Sequence, residues 1–391
     1  MSAPITLTAF EDRLFADLPQ GEVAEALKSR GLPSRRAEAW KWSDLRAALR
    51  DEKQASGDYV GEVPPAPLSL DGAVVLTIRN GTAHMDDAAL PDGIGMTRGL
   101  PEPGVLPDAD LASLATAAHT LTIELQGNPP PLIVRRLSDG EGRHADRLRV
   151  RLAPGTCATL VETHEAQGAP FANSLTEIAV GEGANLTRLI AQPAADDAVI
   201  VHTTLASLAE KASLGQTAIA LGGALVRHET RLVQNGESHA QLDGLYRLTG
   251  KRHCDTTTHV DYVGEGAETS QLVKGVASGR ARGVFQGKFH VARGAQHTDA
   301  KMAHHALLLE QGAQINAKPE LEIYADDVEC AHGNTAGALD PEAMFYLRQR
   351  GLSEEQARSL LIDAFAGEVL ARVQDEGVRE QLERVFRAGL E

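Results

Sequence analysis

A turn built of small residues recurs through the middle of the chain at nearly constant spacing. It is seen in Pro154-Gly155-Thr156-Cys157-Ala158, Glu182-Gly183-Ala184, Glu210-Lys211-Ala212, Asn235-Gly236-Glu237, Glu265-Gly266-Ala267, Arg293-Gly294-Ala295 and Gln311-Gly312-Ala313. The second residue of each core pair falls at 155, 183, 211, 236, 266, 294 and 312, so the steps are 28, 28, 25, 30, 28 and a final 18. Between the turns lie short alternating segments such as Leu160–His164 and Leu186–Ile190, with period two rather than 3.6. A unit this small cannot bury its own apolar face, so successive units must stack. The spacing therefore predicts a mainly β fold whose core is a β-helix, with exposed sheet edges at its ends that need covering.

Composition narrows the function classes. Aromatic residues are 4% and glycines number 37, which suits thin stacked layers of small and aliphatic side chains. The formal charge of −16 repels phosphate backbones and anionic lipid, so neither nucleic acid nor a membrane surface is an expected partner. Met1 to Phe15 lacks a basic segment ahead of an apolar one, and no run of about 18 apolar residues occurs, which predicts a soluble, cytoplasmic chain. The three cysteines, Cys157, Cys254 and Cys330, form no Cys-x-x-Cys pair, so any iron or cluster chemistry would have to borrow ligands from elsewhere. Gly283 to Phe289 falls one residue short of a phosphate-binding loop and lacks its Ser or Thr, and no Gly-x-Gly-x-x-Gly occurs; no nucleotide should bind.

Helices are expected at both ends. Phe10, Leu14 and Leu18 share one face, and Val23, Ala26 and Leu27 resume after the Pro19-Gln20-Gly21 break. Trp40 and Trp42 read as anchors of this small helical part on the next one. Residues 61–70 form a Pro-rich connector, and Val74–Ile78 and Leu121–Leu125 read as strands. Beyond Asp340-Pro341, an N-cap and N1 pair, a first helix runs to Gly351 with Met344 and Leu347 on one face. A capping box at Ser353–Gln356 opens a second, with Ala357, Leu360, Leu361, Ala364 and Phe365 as its apolar face, and Val378, Leu382, Val385 and Phe386 mark a third. The expected divisions are 1–127, helical with a mixed connector; 128–338, β-helix; and 339–391, a helical module.

The chemistry concentrates in Lys318–Thr335. Leu321, Ile323 and Ala325 alternate with Glu320, Glu322 and Tyr324, and Asp326-Asp327 ends that strand, delivering Cys330 and His332 to a turn. If the extended register persists, those two share one side of the backbone and make a two-ligand edge, short of a complete metal site. Buried or incidental roles for Cys330 and His332 are an equal alternative on the residues alone. His304-His305 and His253-Cys254 are neighbours that a strand would send to opposite faces, so neither pair is expected to bind one metal.

The string Tyr324-Ala325-Asp326-Asp327-Val328-Glu329-Cys330-Ala331-His332-Gly333, with Gly337–Asp340 and Phe345–Gly351, resembles the signature of the SufB/SufD family of iron-sulfur cluster assembly proteins, its SufD side more than its SufB side. Glu38-Ala39-Trp40-Lys41-Trp42-Ser43-Asp44-Leu45 is similar to the same family. The resemblance implies a right-handed parallel β-helix between helical N- and C-terminal parts, and a subunit without ATPase activity that works with a SufB-like subunit and the ABC-type ATPase SufC. It implies that His332, and less securely Cys330, help hold iron or a nascent cluster transiently at the interface with SufB. It also implies a SufC side carrying Phe345, Tyr346, Arg348, Arg350, Leu360 and Phe365; for the isolated chain, monomer and homodimer both stay open. Gly333 stands where SufB carries Glu, and SufB's cysteine-rich N-terminal insertion is missing, which disfavours autonomous scaffolding. Two other readings remain at this stage. One is a secreted-type β-helix polysaccharide lyase or hydrolase centred on Asp326 and Asp327; the other is a purely structural solenoid.

Overall fold

Each recurring turn is one corner of a two-sided coil. The computed structural model describes residues 5–50, 54–84, 90–107 and 109–388; the first four residues of the stretch screened for a leader lie outside it. The corners at Gly155, Gly183, Gly236 and Gly266 have φ of 68°, 62°, 74° and 74°, and Lys211 takes the same left-handed position at 56°. A lysine there costs about 1 kcal/mol relative to glycine, which the fixed corner geometry imposes. The final step of 18 residues has a simple cause. Gln311-Gly312 belongs to the opposite corner, between strands Asp299–Leu308 and Gln314–Ile323, and the corner that continues the series is 324–328.

The described strands alternate between two sheets, one of nine strands and one of ten, giving a parallel β-solenoid of about eight turns. Stacking is in register over long stretches, so that Val134, Glu162, Ile190 and Ala218 form one column and His202 and His228 are neighbours in another. The inner faces meet in a continuous apolar core that includes Leu132, Leu148, Leu160, Leu186, Leu208, Val260 and Phe289. Val74–Arg79 and Thr120–Leu125 are strands, as expected, and each adds to a sheet by parallel pairing.

Helices cover the outer faces. On the nine-stranded sheet, Phe10, Leu14, Leu27 and Leu111 pack on Phe171, Val199, Val201 and Leu225. Helices Ala9–Ala16 and Glu22–Arg30 fall on either side of the expected break, the first closed by a capping box at Thr8 and Glu11. Trp40 is buried under the Arg227 guanidinium, 4.2 Å from ring centroid to Cζ, and so acts as the anchor. Trp42 is half-exposed beside Lys41 and anchors less. Ser43 docks the same segment, its hydroxyl 3.2 Å from His253 Nε2 and 2.5 Å from Asp255.

On the ten-stranded sheet, helices Glu354–Leu370 and Glu376–Ala388 pack on Ile133, Val161, Leu189, Ile219 and Leu245, with Leu68 of the Pro-rich connector filling the same layer. Val378, Leu382, Val385 and Phe386 are buried as expected. The face of the longer helix is not the expected one: Ala357, Ile362, Ala366, Val369 and Leu370 are buried, whereas Leu360 is exposed, Ala364 faces solvent and Leu361 and Phe365 are only partly covered. That helix is apolar on more than one side, so spacing alone does not select the packed face. Helix Pro341–Gln349 starts on Asp340, whose side chain accepts from the Glu342 N–H, and buries no residue fully. No described helix is long and apolar enough to cross a membrane.

Candidate functional site

The last coil is the open end of the solenoid. Among the described residues, Gln314–Ile323 pairs only with Arg282–Val291, and Glu329–Gly337 only with Asp299–Leu308, so each sheet ends here in a strand with one bare edge. Asp326 and Asp327 lie on the corner between them, where Asp327 meets His297 at 3.1 Å in solvent rather than in a substrate groove. The chain does not stay in a turn beyond that corner. Cys330 and His332 sit within the terminal strand, because the ladder to Asp299–Leu308 holds them extended.

Register fixes where the two side chains point. Cys330 stacks on Ala300, His332 on Met302 and Asn334 on His304, and all three of those partners are buried in the solenoid interior. Side chains two apart share a face, so Cys330 and His332 both line the interior, at the one level with no further coil above it. Cys330 is half-buried against the core, and burial, with a smaller contribution from Asp299, raises its thiol pKa. In this chain alone it is therefore a thiol at neutral pH, requiring a metal or a partner cation to become a thiolate ligand. His332 is exposed. Beneath them His304 lies flat on Phe285, 4.9 Å between ring centroids, and its Nε2 is 2.9 Å from the Tyr246 hydroxyl, making a rigid floor.

The bare edge has a definite polarity. The N–H groups of Gln314 and Tyr324 donate to Ala281 and Val291, and that of Glu329 donates to Thr298. Because a parallel ladder alternates its bonds between the two sides of a strand, the N–H groups of Cys330, His332, Asn334 and Ala336 face outward, as do those of the odd residues from Ile315 to Ile323. Pro319 occupies one of these outward positions, the place in a sheet where a missing donor disturbs no internal bond. Ile323 and Tyr324 add exposed apolar surface at the rim. Gly333 faces open space and could carry any side chain.

The neighbouring helical surface carries the other expected contact residues. Phe345, Tyr346 and Leu360 are 66%, 57% and 48% exposed, a concentration of apolar side chains that solvent does not favour. Arg350 stacks on Tyr346 and donates to its hydroxyl at 3.0 Å. Arg348 reaches Glu354 at 3.8 Å. Phe365 instead faces the sheet, under the Lys274 ammonium at 4.4 Å, so it belongs to the attachment of the helices more than to their free surface.

His304 and His305 point to opposite faces, the first inward and the second to Thr335 on the outside, and His253 and Cys254 likewise part. One cluster escaped sequence reasoning: Arg136, Asp146, Glu162, His164, Arg188, His202 and His228 lie buried inside the solenoid. Charged residues in an alternating strand read as outward-facing. The parity was nevertheless visible, since Glu162 and His164 continue the series Ala158, Leu160 that faces inward.

Comparison with known proteins agrees with this architecture. Residues 135–365 match the family model described as the SUF system FeS cluster assembly SufBD core domain. The chain is 31% identical over 379 residues to the iron-sulfur cluster assembly protein SufD of Escherichia coli, covering 90% of this chain and 88% of that one. An iron-sulfur cluster assembly SufBD family protein of Synechocystis is 31% identical over 333 residues, 85% of this chain and 68% of that protein. One of Mycobacterium bovis is 29% identical over 372 residues, covering 92% and 90%.

Proposed function

The chain belongs to the SufBD core family of iron-sulfur cluster assembly proteins, and on that premise we propose that it is the non-ATPase subunit that completes a cluster site across the open end of its solenoid. The partner is a SufB-like subunit that adds its own strands to the bare edges of Gln314–Ile323 and Glu329–Gly337. His332 supplies an imidazole ligand to iron or a nascent cluster, and Cys330 a second ligand once the partner's charge or the metal lowers its pKa. The cluster is cargo held transiently between the two chains. Without that partner the same edges are available to a second copy of this chain. One observation carries the reading: the only inward-facing Cys and His of the terminal strand stand where the two sheets end unpaired.

The exposed surface of Phe345, Tyr346, Arg348, Arg350 and Leu360, with Phe365 behind it, is the docking face for a SufC-type ABC ATPase. ATP hydrolysis belongs to that partner. A face joined through the C-terminal helices to the outer layer of the same sheet that carries Cys330 and His332 can pass a movement of the ATPase to the cluster edge.

The test is co-purification and cluster delivery in cells. His332→Ala retains both partners and loses cluster delivery, whereas Phe345→Asp with Leu360→Asp loses the ATPase and keeps the SufB-like subunit. Normal delivery by His332→Ala removes the ligand assignment. Retention of the ATPase by the double variant removes the docking face.

A further inference from the structure

Deep inside the solenoid, far from the open edge in sequence, three histidines face one another across the axis. His202 and His228 are register neighbours on strands Ala195–Leu208 and Gly223–Gln234, and His164 approaches from strand Cys157–Ala166 of the other sheet. Their ring centroids are 4.4 Å apart for His164 and His202, 5.7 Å for His164 and His228, and 6.0 Å for His202 and His228, all edge-on. Glu162 stands two residues before His164 on the same face. Ligand atoms of Glu162, His164 and His202 lie within 4.8 Å of one another, and all three side chains are buried.

Two features set this cluster apart from an ordinary buried polar network. His164 Nε2 and both ring nitrogens of His228 are buried and have no hydrogen-bond partner among the described residues. Buried polar atoms are otherwise almost always satisfied, so such orphans point to a missing group. His202, by contrast, is held: its Nδ1 is 3.0 Å from Ser174 Oγ, and Arg188 Nη2 and Thr204 Oγ1 lie 3.1 and 3.2 Å from its Nε2. A hydroxyl fixing one nitrogen while the other faces the cluster is the outer-shell arrangement of metal-binding imidazoles.

We propose that Glu162, His164 and His202 form an internal binding site for one transition-metal ion of imidazole preference, with His228, which stands just outside that group with both ring nitrogens unpartnered, turning in as a fourth ligand. Imidazole sets of this kind suit zinc, divalent iron and copper rather than magnesium or calcium. The charges around the site restrict it further. Glu162 already accepts from Arg136 Nη1 at 2.6 Å, Thr176 Oγ1 at 2.9 Å and Arg188 Nε at 2.7 Å. Metal entry therefore requires Arg188 to release Glu162 and His202 and keep its contacts to Thr204 and Gln216, at 2.9 and 2.6 Å. The two guanidinium groups select against hard dications that lack nitrogen affinity. A small void of about 10 Å³, lined among others by Gly81, Ser138, His144, Asp146 and Ser174, lies against His164.

The site is tested on the full chain with zinc and with cobalt(II) as spectroscopic probe. Metal is added to the folded protein and, because the void is small, also during refolding, and the amount retained after gel filtration is measured. One equivalent retained in either arm by the Cys330→Ala, His332→Ala double variant is expected, together with the visible absorption of nitrogen-coordinated cobalt. His228→Phe, which removes two unpartnered nitrogens and leaves no orphan, should fold and bind at least about tenfold more weakly. Failure of the double variant to retain metal in both arms overturns the proposal, as does equal retention by a folded His228→Phe. Should His228→Phe not fold, His164→Gln takes its place under the same criterion.

Discussion

The two ends of this solenoid finish in edge strands of different length and direction. At the N-terminal end the outermost strands of the two sheets are short and antiparallel, Thr82–His84 on Val74–Arg79 and Ile94–Gly99 on Thr120–Leu125. At the C-terminal end the outermost strands are the parallel Gln314–Ile323 and Glu329–Gly337, and no described strand pairs beyond them. The difference is also one of content: the coils near the N-terminal end are filled by fully buried Leu132, Leu148 and Leu160, whereas most of the terminal strand is exposed. A stack of coils can stop after any turn, and an uncovered edge recruits other strands. The long parallel edges of nine and ten residues at the C-terminal end offer far more strand to pair than the three and six residues at the other, which favours association at the level where Cys330 and His332 face inward.

The contrast is broken most severely in the enclosed half. Arg188→Met leaves a buried Glu162 with one guanidinium fewer and should cost about 3 to 5 kcal/mol. Lys318→Met at the open end, which removes a partly exposed pair with Glu38, should cost under about 1 kcal/mol. Denaturant unfolding measures both, and equal costs would mean that the open end is as tightly held as the enclosed half.

The edge itself is probed by proline. Ala331→Pro removes an N–H that faces the ladder and should destabilise by about 3 kcal/mol. Asn334→Pro removes one that faces outward; it should leave the isolated chain within about 1 kcal/mol of the parent and abolish pairing with the partner. Unfolding measurements combined with size-exclusion chromatography of the mixed subunits separate the two effects. The same loss of pairing in a fully stable Asn334→Pro chain is what strand addition requires, and retained pairing would argue for side-chain contact alone.

Acid sharpens the contrast in another way. His253 and His304 are buried and their pKa is lowered to about 4, chiefly by burial. In the unfolded chain each returns to about 6.5, so below that value the unfolded state binds more protons. Their contribution is complete above about pH 6.5 and is lost as pH falls towards 4, roughly 2 kcal/mol each between pH 7 and 5. His304→Phe, which keeps the stack on Phe285, should flatten the dependence of unfolding free energy on pH over that window; an unchanged slope would show that His304 is not held neutral.

The two regions were also unequally legible. The enclosed coils could be read from their corners, because a left-handed position recurs once per turn and favours glycine at Gly155, Gly183, Gly236 and Gly266. The reading slipped at Gly312, a residue of the other corner that looks the same in sequence. It slipped again on the Glu354–Leu370 helix, where Leu360 and Ile362 are equally apolar and only the sheet beneath decides which is buried. At the open end, the pairing of Cys330 with His332 on one face followed from period two, but their inward direction did not. That depends on which neighbour, Ala300 or Lys301, Cys330 stacks upon, and register across a 30-residue coil is a tertiary property. The polar interior was missed for the same reason, since Glu162 and Arg188 become partners only when adjacent coils stack.

The smallest structural effect belongs to the residue with the largest functional claim. His332 is exposed, caps no helix and fills no cavity, so His332→Ala should change stability by less than about 0.5 kcal/mol. Cys330→Ala removes only a partly buried sulfur above Ala300 and should cost about 1 kcal/mol or less. If thermal unfolding shows either variant to be strongly destabilised, the terminal coil is part of the folding core and its two ligands are structural. If both are stable and cluster delivery fails with His332→Ala but survives with Cys330→Ala, the imidazole alone is this chain's contribution and the thiol is packing. Failure with both means that the inward face of the last strand acts as a pair, half of a site whose other half must arrive with the strands that cover the edge.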